Sequence, residues 1–343
     1  MKAIIPVAGA GTRLRPHTYT QPKALIPVAG KPILGFIIEQ LMEVGYTDFI
    51  FVVGYLGDKI RDFVESKYPH IKSQFVLQEQ REGLGHAIWL ARDMVAPGED
   101  ILIMLGDTII EADLPNLLKG ANSMLGVKKV PDPWKFGVAE FGEGDSITKV
   151  VEKPKFPKSN MALVGVYRIK ESKELFEALS ILVKAEERRH GEIHLTDAIM
   201  MMIEKGIKFT SFKIDNWYDC GKPEILLETN AKLLKKFGFA SAEVPFYENT
   251  IIIHPVSIAK GTRITNSIVG PNVTIGEQSE IQYSILSNSI IGDFARLHHV
   301  ILKKSVVGSD AFIKGLSQSL NIGDNTEIDL SGDVNPNYEK QDN

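Results

Sequence analysis

Two cations, Arg13 and Lys23, stand ten residues apart near the start of this 343-residue chain. They follow an apolar run, Ala3-Ile4-Ile5-Pro6-Val7-Ala8, and a turn of small residues, Gly9-Ala10-Gly11-Thr12. Small residues after a strand let backbone N–H groups approach an anion closely. A guanidinium fork and an ammonium point charge then suit phosphate oxygens. Pro16 and Pro22 stiffen the connection between the two cations. Ala8, Gly9, Gly11 and Thr12 as a cradle, with Arg13 and Lys23 as charges, predict a polyphosphate-binding loop at the carboxyl end of a first strand. It is not a Walker loop, because no Gly-Lys-Ser/Thr follows. It is not a dinucleotide fingerprint either, because Leu14 stands where the third glycine would be.

Carboxylates supply the second half of such chemistry. Asp107 follows the apolar run Ile101–Leu105 and Gly106, at the sheet edge where open α/β proteins bind ligands. Near phosphates it suits Mg2+, which takes one or two protein carboxylates plus phosphate oxygens. Asp219, before Gly221, is the candidate second ligand. Gln78 and the Gly83-Leu84-Gly85 turn offer an amide and open backbone groups that can read a nucleobase edge. Glu152 could accept sugar hydroxyls and Lys153 could hold a phosphate; a solvated Glu-Lys pair is the plainer alternative. Glu192 could reach a sugar, and Thr196 reads as a helix cap. His298 and His299 are adjacent and would face opposite sides of a strand, a poor metal pair. Cys220 reads as a small buried residue rather than a nucleophile.

These residues need a scaffold. Strand-like runs at 48–53, 73–78 and 100–105 alternate with helical spacing at 32–42, 57–68 and 83–94. That alternation predicts an α/β domain with a mostly parallel, Rossmann-like sheet covered on both faces. Strands follow at 124–129, 136–141, 147–152, 163–168 and 209–214, and helices at 173–181, 196–205 and 223–237. From about Thr250 aliphatic residues recur every six positions, as in Val269, Ile275 and Ile281, and a larger step of sixteen joins Ile275, Ile291 and Val307. Hexapeptide units with an inward aliphatic and a corner Gly or Asn predict a parallel β-helix. The expected division is 1–240 for the first domain and 250–330 for the β-helix, with 331–343 a disordered polar tail.

Composition bounds the partners. The net charge of −4 gives no global field for nucleic acid or an anionic membrane, so local cations must hold an anionic substrate. No run approaches the ~20 apolar residues of a membrane helix. A single cysteine permits no internal disulfide, which fits a cytoplasmic protein.

Taken together, the residues resemble the sugar-1-phosphate nucleotidylyltransferases. The resemblance rests on Gly9-Ala10-Gly11-Thr12-Arg13-Leu14-Arg15-Pro16, Lys23, Gly83-Leu84-Gly85-His86-Ala87, Gly106-Asp107, Val151-Glu152-Lys153-Pro154 and Trp217-Tyr218-Asp219-Cys220-Gly221, and spans nearly the whole chain. Thr20-Gln21-Pro22-Lys23, 192–197 and Asn321-Ile322-Gly323-Asp324 look most like the long-form glucose-1-phosphate thymidylyltransferases. Ala8 departs from the Gly-Gly-x-Gly loop common in that family and puts a methyl beside the base or phosphate.

The resemblance implies transfer of a nucleotidyl group from a nucleoside triphosphate to a hexose 1-phosphate, with Mg2+ as cofactor. It implies Arg13 on the β- and γ-phosphates and Lys23 on the phosphate chain near the reacting centre. Lys153 would hold the sugar phosphate and Glu152 its hydroxyls. Asp107 and Asp219 would hold the metal, and Gln78 and Gly83 would meet the base. A left-handed β-helix tail and a homo-oligomer are expected with it. Two other readings compete: a catalytically silent regulatory homologue, opposed by the intact charges, and a β-helix acyltransferase, which would need a positioned His such as His254, His298 or His299.

Overall fold

The computed structural model describes residues 1–185, 191–239 and 245–315. β1 (Lys2–Pro6) is followed by the loop of Arg13 and Lys23, made of three short 3-10 turns, and by a small hairpin, β2 (Pro27–Val28) and β3 (Lys31–Pro32). Then α1 (Ile33–Glu43), β4 (Asp48–Val53), α2 (Gly57–Lys67), β5 (Lys72–Leu77), α3 (Leu84–Leu90) and β6 (Ile101–Met104) alternate. The chain continues with β7 (Thr108–Glu111), α4 (Leu114–Lys119), β8 (Ser123–Lys129), β9 (Gly137–Phe141), β10 (Ser146–Glu152) and β11 (Met161–Ile169). α5 (Ser172–Lys184), α6 (Leu195–Glu204), β12 (Phe209–Lys213), β13 (Asn216–Asp219) and α7 (Pro223–Lys236) complete the first domain.

Nine strands form one sheet in the order β5-β4-β1-β6-β11-β8-β12-β10-β9. The expected parallel pairing holds for β5, β4, β1 and β6. Beyond β6 the sheet is mixed: β11 runs antiparallel to β6 and β8, and β10 runs antiparallel to β12 and β9. Successive strand residues feed opposite cores. Ala3, Ile5, Phe49 and Phe51 pack with α1, α2 and α7 on one face. Ile4, Ile50 and Val52 pack with α3, α5 and α6 on the other.

α4 and the antiparallel pair of β7 and β13 are absent from the sequence reading. α4 is only six residues long and carries a proline, though Asp113 caps it by accepting from Asn116 N. β13 pairs with β7 so that Asp219 lies opposite Thr108. This pairing brings the chain around Asp219 beside Asp107, more than a hundred residues earlier in the sequence.

The C-terminal region is a three-faced parallel β-helix running from Ile251 to Lys314. The sixteen-residue step is seen as Ile275 beside Ile291 and Ile291 beside Val307, whereas the earlier steps are one residue longer, with Val256 beside Val273 and Ile268 beside Ile285. Buried serines tie the coils together: Ser284 N donates to Ser267 Oγ at 3.1 Å and Ala295 N to Ser279 Oγ at 3.2 Å. Corners at Asn266, Asn272 and Asn288 take positive φ, as expected for Asn, but so do Tyr283 (φ 48), Phe294 (φ 56) and His299 (φ 58). The repeat imposes the left-handed corner there, and stacking of Tyr283 on His299 at 4.8 Å helps to hold it. The motif at Asn321-Ile322-Gly323-Asp324, the end of the expected β-helix and the expected tail lie outside the described residues.

Asn230 of α7, wholly buried, joins the two domains. Its Oδ1 accepts from Ala29 N at 2.8 Å and Thr274 Oγ1 at 2.7 Å, and its Nδ2 donates to Asn272 O at 3.2 Å. No helix among the described residues is long and apolar enough to cross a membrane.

Candidate active site

The carboxyl ends of β1, β4, β5 and β6 meet at one sheet edge, and a cavity of about 360 Å³ opens there. Ala8, Gly9, Lys23, Gln78, Gly83, Asp107 and Glu192 all line it. The loop after β1 is pinned by Thr18, whose Oγ1 donates to Gly11 O at 2.8 Å. Gly11 has φ 60, and a Cβ there would lie 2.8 Å from Thr18 Cγ2 and 3.0 Å from Lys23 Cβ, so this turn excludes a larger residue.

Lys23 is the electrostatic centre. Its side chain is only 9% exposed, and Nζ lies 2.5 Å from Asp107 Oδ2 and 3.8 Å from Asp219 Oδ1. Thr108 Oγ1 donates to the other Asp107 oxygen at 3.2 Å. Arg13 reaches the same corner: a Cβ at Gly221 would lie 2.7 Å from Arg13 Nη2 and 2.9 Å from Asp219 Oδ1. Thr12, at the start of the turn that carries Arg13, is exposed. Two carboxylates thus share one ammonium at the cavity mouth. That donor set fits Mg2+, a hard cation that completes its shell with phosphate oxygens and water and needs few protein ligands. No group of three or more metal-ligating side chains occurs among the described residues.

The opposite wall is built for hydrogen-bond recognition. Gln78 follows β5 and is 6% exposed. Its Nε2 donates to Gly83 O at 3.1 Å and lies 3.2 Å from His86 Nδ1. His86 Nε2 in turn lies 3.8 Å from Glu82 Oε2. The segment before α6 is stitched to this turn: Gly85 N donates to Ile193 O at 2.7 Å and Ile193 N to Glu82 O at 2.7 Å. This pairing brings Glu192 into the cavity lining. Leu84 of that turn lines the cavity too, and Arg81 and Leu105 are additions to the sequence reading. Arg81 sits between Gln78 and Gly83, so the recognition loop itself was the signal.

Glu152 and Lys153 stand apart from this cavity lining, at the end of β10. Lys153 is half-exposed, has φ 41, and its Nζ lies 3.8 Å from Glu152 Oε1. Thr196 does not cap its helix. α6 begins at Leu195, and Thr196 Oγ1 instead donates to Glu152 Oε2 at 3.1 Å. The Glu152 carboxylate, only 15% exposed, outcompetes the local cap because an acceptor that far from water is costly to leave unpaired. Lys153 N donates to Phe136 O, and the Phe136 ring meets Trp217 edge-on at 4.9 Å. That chain of contacts links the Glu152 arm to β13, which carries Asp219. Trp217 Nε1 is buried and has no hydrogen-bond partner among the described residues.

Cys220 is wholly buried, and burial pushes its thiol up to about 12. It is an inert core residue, as expected. His298 and His299 lie far along the β-helix, the first on a strand and the second at a corner.

A phosphate-type loop, a carboxylate pair and a recognition turn at the topological edge of an α/β sheet define a nucleotidyl-transferring enzyme. The Nucleotidyl transferase family matches residues 2–236, and the GlmU-like C-terminal hexapeptide family matches 236–331. The glucose-1-phosphate thymidylyltransferase of Streptomyces griseus is 33% identical over 318 residues, covering 83% of this chain and 87% of its own. The low-salt glycan biosynthesis nucleotidyltransferase Agl11 of Haloferax volcanii is 34% identical over 254 residues, 70% of each chain. The bifunctional protein GlmU of Methanocaldococcus jannaschii is 37% identical over 265 residues, 76% of this chain and 61% of its own. Among solved structures, a UDP-glucose pyrophosphorylase complexed with UDP-glucose superposes with a TM-score of 0.61 at 27% identity, covering 68% of this chain and 98% of that one. The chain belongs to the sugar-1-phosphate nucleotidylyltransferase family.

Proposed function

We propose that the protein joins a nucleoside triphosphate to a hexose 1-phosphate, with dTTP and glucose 1-phosphate as the leading pair and UTP as the next nucleotide. An oxygen of the sugar phosphate attacks the α-phosphorus in line. The new P–O bond forms as the bond to the bridging oxygen breaks, and pyrophosphate leaves. Positioning and charge neutralisation carry such a reaction. The observation that carries this reading is Lys23 between Asp107 and Asp219 at the mouth of a cavity backed by Gln78 and Gly83.

Asp107 and Asp219 would hold Mg2+, which when bound neutralises phosphate charge. Lys23 would then exchange its carboxylate partner for phosphate oxygens, and Arg13 would bind the leaving β- and γ-phosphates. The backbone at Ala8, Gly9, Gly11 and Thr12 would cradle the chain. Gln78, its Nε2 already engaged by Gly83 O, would offer Oε1 to the N3–H of thymine or uracil. Glu192 and Glu152 would accept sugar hydroxyls, and Lys153 would hold the sugar phosphate. The named activity of the S. griseus relative supports dTTP with glucose 1-phosphate, and the UDP-glucose complex of the structural neighbour supports UTP.

The test is pyrophosphate release with Mg2+, across dTTP, UTP, GTP, CTP and ATP against the 1-phosphates of glucose, mannose, galactose and N-acetylglucosamine. Release that needs both substrates, strongest with dTTP and glucose 1-phosphate, is the expected result. Folded protein that releases none in any pairing sinks the reading and favours a silent, nucleotide-sugar-binding homologue.

A further inference from the structure

The two ends of the Gln78 amide read opposite chemistries. Turned one way the side chain offers the cavity an oxygen, and turned the other way an NH2 group. Its orientation therefore decides between a base edge that donates and one that accepts. Two neighbours set it. Gly83 O, 3.1 Å from Gln78 Nε2, has only lone pairs and takes a hydrogen from the amide. His86 Nδ1, at 3.2 Å, takes either role, according to the tautomer of the ring.

The surroundings decide the tautomer. An NH2 group held by Gly83 O turns its second hydrogen toward Nδ1, so Nδ1 must keep its lone pair. The ring hydrogen then sits on Nε2, which faces Glu82 Oε2 at 3.8 Å. The Trp89 indole lies along the imidazole, with ring centres 5.9 Å apart and planes 22° apart. Trp89 is anchored in turn: its Nε1 donates to Ser180 Oγ at 3.0 Å, and the Arg92 guanidinium lies 3.8 Å from its ring centre. The His86 side chain is 12% exposed and is not among the described residues that line the cavity. A ring placed in this way acts through Gln78 and not on a ligand.

We infer that His86 is a positioning residue for nucleotide selectivity: its bare Nδ1 holds the Gln78 NH2 group, so that Oε1 faces the cavity and selects uracil or thymine over cytosine. This rests on the assignment of Gln78 to the base. Uracil and thymine carry a hydrogen on N3, whereas cytosine N3 is an acceptor. With both Nε2 hydrogens taken by Gly83 O and His86 Nδ1, the amide has no donor left for cytosine. Cytosine N3 and Oε1 would meet lone pair to lone pair, and buried acceptors left unpaired are costly. Turning the amide does not relieve this, because Oε1 would then face the lone pairs of Gly83 O and of Nδ1. A site built on hydrogen bonds rejects the wrong partner far more strongly than one that senses only a methyl group.

The test compares UTP with CTP, which share a ribose and differ at the base edge. Pyrophosphate release with glucose 1-phosphate and calorimetric binding of each nucleotide with Mg2+ are measured at pH 8, where imidazole is neutral. Wild type should prefer UTP by about a thousandfold or more. His86→Leu, which removes the acceptor, should lower that preference at least about tenfold and raise the KM for UTP with little change in kcat. His86→Asn, which can place an amide oxygen where Nδ1 stands, should restore most of it. Each preference is a ratio within one preparation, so partial unfolding does not move it. In a Gln78→Ala background His86→Leu should change the preference less than about twofold, since a residue acting through Gln78 has nothing left to act on. Equal use of UTP and CTP by wild type overturns the inference and leaves nucleotidyl transfer standing. So does a preference that ignores His86→Leu, or losses from His86→Leu and Gln78→Ala that simply add. Selective UTP binding that follows His86 in a protein that releases no pyrophosphate would sink the transfer reading and keep this one.

Discussion

Lys23 Nζ lies 2.5 Å from Asp107 Oδ2, within a site that also brings Asp219 Oδ1 to 3.8 Å. The pair joins the loop after β1 to the turn after β6, so a single contact both assembles the phosphate corner and stores its charges. Asp107→Asn keeps the shape and removes one charge. Pyrophosphate release should fall at least about a hundredfold, the scale of a lost transition-state charge contact. Lys23→Met should fall as far. Circular dichroism spectra matching wild type, alongside the lost turnover, would separate chemistry from folding.

Gln78 is oriented by two neighbours, Gly83 O at 3.1 Å and His86 Nδ1 at 3.2 Å. With Nδ1 accepting, the amide oxygen is left for the base. Gln78→Ala should raise the KM for the preferred pyrimidine triphosphate about tenfold or more and change kcat little, since base contacts bind ground and transition states alike. The dTTP-to-UTP ratio should stay within about 10–200-fold, because only a methyl separates the two. Steady-state kinetics with both nucleotides checks each statement.

Thr196 Oγ1 donates to Glu152 Oε2 at 3.1 Å and so fixes the arm that is assigned to the sugar. Thr196→Val keeps the shape and removes the donor. The KM for sugar 1-phosphate should rise several-fold, with the KM for the nucleotide unchanged. Thr196→Ser should recover most of the loss. Equal changes in both KM values would mean that the hydroxyl acts on the whole site and not on the sugar arm.

Local spacing made the phosphate loop legible, because Gly11, Arg13 and Lys23 lie within one short stretch and each residue type has one obvious use there. The parallel half of the sheet was legible for a similar reason: strand and helix alternate with short links. The pairing of β7 with β13 was not. Each strand has four residues, and their pairing joins Thr108 to Asp219 across more than a hundred residues, which no local pattern encodes. Strand direction beyond β6 was also hidden, because an apolar run carries no sign of its direction. Thr196 misled because a hydroxyl near a helix start normally caps it, and the carboxylate that claims it lies forty-four residues earlier.

Asn230 satisfies one backbone donor from the loop of β2 and β3 and two groups of the β-helix while wholly buried. Replacing it by Leu strands the Ala29 N–H, the Thr274 hydroxyl and the Asn272 carbonyl. At about 1–3 kcal/mol for each unsatisfied buried group, the loss should be several kcal/mol. Thermal denaturation should show a lower midpoint and, if the domains uncouple, two transitions where the wild type shows one.

Cys220 sits behind the site, 0% exposed, and burial raises its thiol to about 12. Lys23 alone among its charged neighbours lowers it, and Asp107 and Asp219 raise it further. In the unfolded chain the thiol ionises near its ordinary value of about 8.5. Below that pH both states hold the proton and the cysteine is neutral to stability. Above it only the unfolded chain ionises, so folding stability falls as pH rises toward 12. Cys220→Ala should therefore flatten the alkaline arm of the stability curve relative to wild type, as read by urea unfolding at pH 7, 9 and 10. At pH 8 the native thiol should react with an aromatic disulfide reagent only as fast as the protein opens. Rapid labelling of folded protein at that pH would mean the thiol is reachable and that its burial does not hold in solution.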